Sequence, residues 1–284
     1  MDAVGLAIVS AALFGAMPVF VRFALVHPLP IALGTLVMQS ATLLVLVVAA
    51  AVQGGLTLYG ILPFLLAGLV APGASQLFIT TGIREAGSSR TSVAFGTAPL
   101  FAVLLAVVAF GERPGPAVVA GACLVVAGGV ALAAEKDRPE HVRRIGIAYA
   151  LTGAVLFAFR DNLVRHLSLH TDVPSMTAGA ATLASAIAVT TLVVLVRRDF
   201  VPVAPGVAIR WLLPGALVGL SYVALFEAFY RGAVSVVAPL VGTESLFGVA
   251  FSALLLHRTE RVGARLVLGA VLVVAGGVLI GIFR

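Results

Sequence analysis

Four ionisable side chains stand inside otherwise apolar runs of the chain: Arg160, Asp161, Glu227 and Glu244. A charged group at the centre of a lipid-embedded helix costs ~2.5–3.5 kcal/mol on insertion scales, so such residues usually face a partner or a cavity. An arginine and an acid that share a cavity can hold the carboxylate and the amine of a zwitterion. The same two groups can instead form a structural ion pair that fixes helix packing. Arg160 and Glu244 are the candidates for either role, because each lies ~12–15 Å from the same end of its run at 1.5 Å rise per residue. Asp161 follows about 100° round the helix and either pairs with a neighbouring helix or lines the same space. Glu227 has Arg231 four residues on, a favourable helical spacing that points to local structure. Its other reading is a proton carrier for coupled transport.

Other chemistry is not spelled out. His27, His141, His166, His170 and His257 all lie near the ends of apolar runs, and the single cysteine is Cys123, so no metal cluster or disulfide framework is expected. Glycine-rich phosphate loops, zinc spacings and nucleophile elbows do not occur in the sequence. The expectation is a protein that is not an enzyme, uses no cofactor and drives no pump with ATP on its own.

These residues must be held by helices in a membrane. Of 284 residues, 61% are hydrophobic and 11% charged, and the mean hydropathy is +1.15. Ordinary soluble domains are ~45–50% apolar and ~25% charged. The composition excludes a soluble enzyme, a disordered chain and a secreted disulfide scaffold. The net charge of +6 sits in short basic clusters between apolar runs, a pattern of topology rather than of nucleic-acid binding. One Trp and four Tyr are also too few for a base-stacking surface.

A spanning helix needs ~20 mostly apolar residues. Cutting at charge clusters and Pro/Gly breaks gives ten segments, near 3–25, 31–52, 59–83, 91–110, 115–134, 145–168, 174–196, 207–232, 234–257 and 262–283. The alternation of a membrane barrel does not occur. The first segment does not read as a signal peptide, because Met1-Asp2 offers no basic start and the apolar run is too long. No connection could fold into a domain, so the chemistry must lie among the helices.

The chain repeats itself. Residues 121–130 and 269–278 are identical at nine of ten positions, at an offset of 148. Gly96–Phe101 aligns with Gly242–Phe247, and Leu13–Arg22 with Leu156–Arg165, at nearly the same offset. The expected organisation is a first five-helix repeat over 1–134, a polar linker over 135–144 and a second repeat over 145–284. An odd number of helices per half makes the second half enter from the opposite side, an inverted repeat with its substrate site near the midplane.

The alignment adds uncharged candidates. Met17 and Pro18 align with Arg160 and Asp161, Gln76 with Tyr222, and Thr97 and Pro99 with Thr243 and Ser245. The first half thus offers Met, Pro, Gln and Thr while the second holds the charges. Pro18, Pro99 and Pro239 each free a carbonyl inside a helix, which either bends the helix or faces a ligand. Gln39 bonds either a neighbouring helix or a ligand, and the spacings Gly215–Gly219 and Gly277–Gly281 permit close helix approach.

The five-helix halves, the acids after each fourth helix (Gly111-Glu112 and Arg258-Thr259-Glu260), the Ala-Gly-Gly-Val endings and Pro99 resemble the drug/metabolite transporter superfamily, in its ten-helix EamA-type form. The resemblance covers the whole chain. It implies a multipass carrier in the cytoplasmic membrane with a central cavity and peripheral fifth and tenth helices. It also implies a small-molecule substrate, with amino-acid export common and sugars, nucleosides, amines or drugs as alternatives. One departure is Gln53–Thr57, which lacks the basic residues expected after the second helix.

Orientation divides the signals. Connections after odd-numbered helices carry 13 Lys and Arg against 4 on the other side. By the positive-inside rule both termini lie outside, whereas the resemblance puts them in the cytoplasm. The expectation is a carrier of amino acids or amines working by alternating access, as a monomer or weak homodimer, with proton coupling open. Its candidate lining is Arg160, Asp161, Glu244, Ser245, Thr243, Tyr222, Glu227, Gln76, Thr97, Pro99 and Met17. A channel and a membrane-embedded enzyme are weaker readings.

Overall fold

The computed structural model describes residues 2–27, 29–98, 100, 101, 104, 105, 115–133, 143–232, 237, 240–257 and 263–283. Among the described residues all regular structure is helical. The helices are α1 (Ala3–Ala24), α2 (Ile31–Val52), α3 (Leu62–Ala86), α4 (Ser88–Phe95), α5 (Pro116–Ala133), α6 (Arg144–Ser168), α7 (Ser175–Arg197), α8 (Pro205–Arg231), α9 (Glu244–Leu255) and α10 (Ala264–Phe283). Seven of them (α1, α2, α3, α6, α7, α8 and α10) are long and apolar enough to cross a membrane. The chain is a polytopic helical membrane protein. Its outer surface is a band of exposed aliphatic side chains, such as Leu44, Leu192, Ile209 and Leu220, which lipid rather than water can cover.

Local signals set the ends. Asp2 caps α1 by accepting from the Gly5 backbone N–H at 2.8 Å. Pro30 and Pro174 stand immediately before α2 and α7 in extended backbone; proline disfavours the helical conformation in the residue before it and fixes its own φ, so each sets a clean helix start. These two prolines occupy equivalent places in the two halves.

Helix α3 is interrupted. Pro72 lacks an N–H and crowds the preceding turn. Residues Leu69–Ala74 form a wide π-type turn in which Ala71 is extended (φ −144, ψ 124). Gln39 on α2 donates its Nε2 to the Pro72 carbonyl at 3.2 Å. Of the two roles open to Gln39, this bond places it between helices. Pro72 itself was not singled out by the sequence reading.

Helices of one half pack mainly on helices of the other. α5 lies against α10, α1 against α8, α6 against α3, and α2 and α7 against α8 and α3 respectively. α1 meets α9 and α6 meets α4, while α2 meets α7 and α4 meets α9. Exchanging the two halves leaves this set of pairings unchanged. Glycines allow the closest approaches. A Cβ on Gly215 would strike the Met38 carbonyl, and one on Gly68 would strike Thr182 and Ser185. A Cβ on Gly34 would meet the buried Trp211 ring at 2.5 Å.

One sequence expectation is corrected here. Arg90 is one of the 13 Lys and Arg that the sequence assigns to connections after odd-numbered helices, as topology markers. It lies instead within α4 and is fully buried. The fourth helix therefore starts earlier than 91, because the run Ser88-Ser89-Arg90-Thr91-Ser92 is helical despite its polarity. Thr91 and Ser92 return their hydroxyls to the carbonyls of Gly87 and Ser88, at 2.7 and 3.0 Å, which lets polar residues sit inside a helix. Buried charge is thus not confined to the second half.

Candidate functional site

On α6, Phe157, Arg160 and Asp161 are spaced i, i+3 and i+4 and form one stripe. On α8, Tyr222 and Phe226 are likewise i and i+4. The two stripes face each other and enclose Arg160, which is completely buried. Its guanidinium carbon lies 4.8 Å from the centre of the Phe157 ring, 5.0 Å from Tyr222 and 5.7 Å from Phe226. Nη2 donates to the Tyr222 hydroxyl at 3.2 Å. Nε lies 3.1 Å from Asp161 Oδ1, an ion pair without hydrogen-bond alignment. Ring faces and one carboxylate together answer the charge, a desolvated arrangement in which cation–π attraction is worth ~2 kcal/mol.

Beside this cage is a small cavity of about 20 Å³, room for about one water. Its apolar walls are Phe14, Met17, Ile79, Phe95 and Phe157, and its polar groups come from Gln76, Thr91, Ser92 and Glu244. The rings tie cavity and cage into one unit: Phe95 packs edge-on to Phe157 at 5.1 Å, and Phe14 edge-on to Tyr222 at 5.5 Å. Gly15 brings α1 onto α9, where a Cβ would lie 2.6 Å from that of Phe247 and 2.7 Å from the Glu244 carbonyl. That closeness places Glu244 in the cavity wall. Glu244 is buried, and among the described residues no hydrogen bond or ion pair engages its carboxylate. It lies within electrostatic reach of Asp161 and Tyr222. Gln76 Nε2, Arg160 Nη1 and Asp161 Oδ1 are also buried without hydrogen-bond partners. Buried polar atoms left open in this way call for a ligand or waters.

Seven of the eleven candidates from the sequence can be placed around this unit or next to it. Arg160, Asp161 and Tyr222 form the cage, and Met17, Gln76 and Glu244 line the cavity. Ser245 lies at the α4–α9 crossing, where a Cβ on Gly96 would meet it at 2.7 Å. The hydroxyls of Thr97, Thr243 and Ser245 are turned onto their own chain, to Ala94, Leu240 and Gly242. Pro99 and Pro239, together with Glu112, Thr259 and Glu260, lie outside the described residues. The direct Arg160–Glu244 pair considered from depth alone is not formed. Arg160 reaches its own neighbour first, because an i, i+1 acid with a free rotamer needs no second helix to arrive.

Glu227 stands apart from the cavity. It accepts from Ser175 Oγ on α7 and from Gln53 Nε2 at the end of α2, and pairs with Arg231 Nη2 at 2.6 Å. The carboxylate ties three helix ends together. Replacing Glu227 by Gln should lower stability by ~1 kcal/mol, as expected for losing a charge-assisted bond at a half-buried site. Thermal melting would show it, and Ser175→Ala added to Glu227→Gln should cost little more, since both break one network.

Sequence reasoning missed Phe14, Thr91, Ser92, Phe95 and Phe157. The phenylalanines carry no signal in so apolar a chain. Thr91 and Ser92 had one: a polar run between two spans that is too short to be a loop.

Comparisons with known proteins agree with this architecture. The model of the EamA-like transporter family matches residues 1–133 and 144–282. A solved structure described only as a crystal structure of a protein is similar over 98% of this chain and 96% of its own, with TM-score 0.71 and 21% identity. It shows a shared fold. No curated protein matches the chain.

Proposed function

The chain belongs to the EamA-like transporter family, and from that premise we propose that it is a secondary carrier of amino acids or amines. It works by alternating access across the cytoplasmic membrane, as an exporter and as a monomer or weak homodimer. The reading includes ten spans in two inverted five-helix halves. Family membership supports a membrane transporter of small molecules rather than an enzyme. The inverted repeat is supported by the helix pairings that survive exchange of the halves, and by the two matched stretches, each about half the chain.

The observation that carries the site is the conjunction of a caged Arg160–Asp161 pair with Glu244 in the wall of a cavity between the halves. That is where inverted-repeat carriers bind substrate. Met17, Gln76 and Tyr222 complete the proposed lining, with Thr97, Thr243 and Ser245 behind it. Removing Arg90 from the topology count leaves the basic excess on the same side, so orientation with both termini outside keeps its support.

Flux of radiolabelled amino acids and amines into proteoliposomes tests the proposal. Wild-type uptake should saturate, and Glu244→Gln should reduce it at least about tenfold, the equivalent of one charged hydrogen bond. Normal flux in a Glu244→Gln protein that melts like wild type would remove the site assignment. A current that rises linearly with concentration would favour a channel instead.

A further inference from the structure

We infer that the cavity at Glu244 is a binding site for one dehydrated sodium ion. The inference goes beyond the carrier reading and does not need it. Size is the first observation. A space of about 20 Å³ takes about one water and excludes any amino acid or amine. The second is that the polar groups of the cavity present acceptors. Thr91 and Ser92 already give their hydroxyl protons to the carbonyls of Gly87 and Ser88, at 2.7 and 3.0 Å. Their oxygens keep only lone pairs to offer. Pro18 has no N–H for the Phe14 carbonyl one turn back, and both residues border the cavity. Gln76 can turn either its amide oxygen or its nitrogen inward. Glu244 adds a buried carboxyl that no hydrogen bond or ion pair engages among the described residues.

Close packing brings these groups to one face of α9. A Cβ on Gly15 of α1 would lie 2.7 Å from the Glu244 carbonyl, and a Cβ on Gly248, one turn after Glu244, would strike the Ser92 hydroxyl of α4. One carboxyl among neutral oxygens suits a hard monovalent cation. A group of three His, Cys, Asp or Glu that could hold a heavier metal does not occur among the described residues. Carbonyls released in interrupted membrane helices are known sodium ligands. A full carboxylate charge favours the smaller alkali ion, whose centre comes nearer to it. A carboxyl at this depth is costly to ionise without a countercharge. Sodium therefore enters by exchange: the carboxyl O–H bond breaks, its proton leaves to water, and the ion takes its place on the oxygen. Few other charges are near. Asp161 on α6 is within electrostatic reach, with Arg160 committed to it and to three rings. Tyr222 on α8 is also within reach. Arg90 is buried on α4, about 200° round the helix from Ser92, and does not line the cavity. The charges of α1 and α10, Asp2, Arg22 and Arg265, stand at the helix ends.

Melting of the purified full chain in sodium, potassium and choline chloride at equal ionic strength tests the site. Sodium alone should raise the melting temperature, with a shift that grows with concentration as ligand linkage requires. Glu244→Gln should raise the sodium concentration needed for a given shift at least about tenfold, and Ser92→Ala should raise it by a smaller factor. Because sodium displaces a proton, the concentration that the wild type needs should fall about tenfold per unit of rising pH between about 6 and 8. This wild-type series decides the matter even if a variant fails to fold. Equal shifts in sodium and potassium overturn the inference. So does melting that follows pH but ignores sodium, which would make Glu244 a proton site. Proteoliposome flux tells the two proposals apart. Saturable flux of amino acids or amines in a protein that sodium does not shift keeps the carrier and removes the sodium site. A sodium-specific shift in a protein that carries no tested solute keeps the site and removes the carrier.

Discussion

Replacing Arg160 by leucine should cost about 3–5 kcal/mol of stability, the usual result of stranding one partner of a buried ion pair. The side chain it removes is fully enclosed, so no water can take over its role. Asp161 loses its only ion-pair partner among the described residues, and the Tyr222 hydroxyl loses its donor. Three rings lose the cation they surround. A test on melting temperature alone would not identify the cause, because a leucine also fills the cage differently. The double variant Arg160→Leu/Asp161→Asn does identify it. If the loss is a stranded carboxylate, the asparagine should recover most of it, since replacing both partners of a buried pair is often close to neutral. If the double variant melts as low as the single one, the rings rather than the ion pair hold Arg160 in place. Lysine at 160 should rescue poorly, because an ammonium lacks the planar face that stacks on the rings and the fork that reaches Tyr222 and Asp161 together.

Much of this was legible in the sequence, and the limits follow from physical causes. The positions of the seven long spans were readable because hydropathy is an additive property of local residues. Pro30 and Pro174 fix helix starts through their own covalent geometry. That Arg160 stands well inside its helix follows from position alone, since rise per residue is fixed. Its partner was not readable. Depth places two groups in one plane but says nothing of azimuth or rotamer, and Arg160 satisfied itself on Asp161 one residue away. Arg90 was misread because a charge between two apolar runs looks the same whether the chain leaves the membrane there or starts the next helix. The deciding fact was that Thr91 and Ser92 bond back to their own backbone, and hydroxyls declare that only in three dimensions. The phenylalanines of the cavity were invisible because the sequence holds sixteen of them, most in similar apolar runs. The break in α3 had a local cause in Pro72, yet its tolerance depends on Gln39, which is 33 residues away in sequence.

Gly276→Leu should be severely damaging although Gly276 lies outside the site. The sequence it belongs to, Ala-Gly-Gly-Val, is the most strongly repeated in the chain. Repetition of that kind invites a functional reading, but the structure gives it a packing one. A Cβ on Gly276 would lie 2.5 Å from the Gly121 carbonyl oxygen and 2.7 Å from Val125. The obstacle is backbone, so no side-chain rotation relieves it. Alanine should cost ~1–3 kcal/mol as overpacking, and leucine should separate α5 from α10 and abolish folding. The control is Gly263→Ala just before α10, where a Cβ meets nothing within 4 Å and melting should not change. Repeat symmetry makes the prediction sharper. The Gly121–Gly276 contact becomes the Gly269–Gly128 contact when the halves are exchanged. A Cβ on Gly128 would indeed lie 2.7 Å from the Gly269 carbonyl. Gly128→Ala should therefore cost what Gly276→Ala costs, to within the ~0.5 kcal/mol by which independent sites usually add. A large penalty at one position and none at the other would show that the repeated motif is not a symmetric interface. Neither helix contributes a side chain to the cavity, so Gly276→Ala should lower melting while leaving the substrate concentration at which flux half-saturates unchanged.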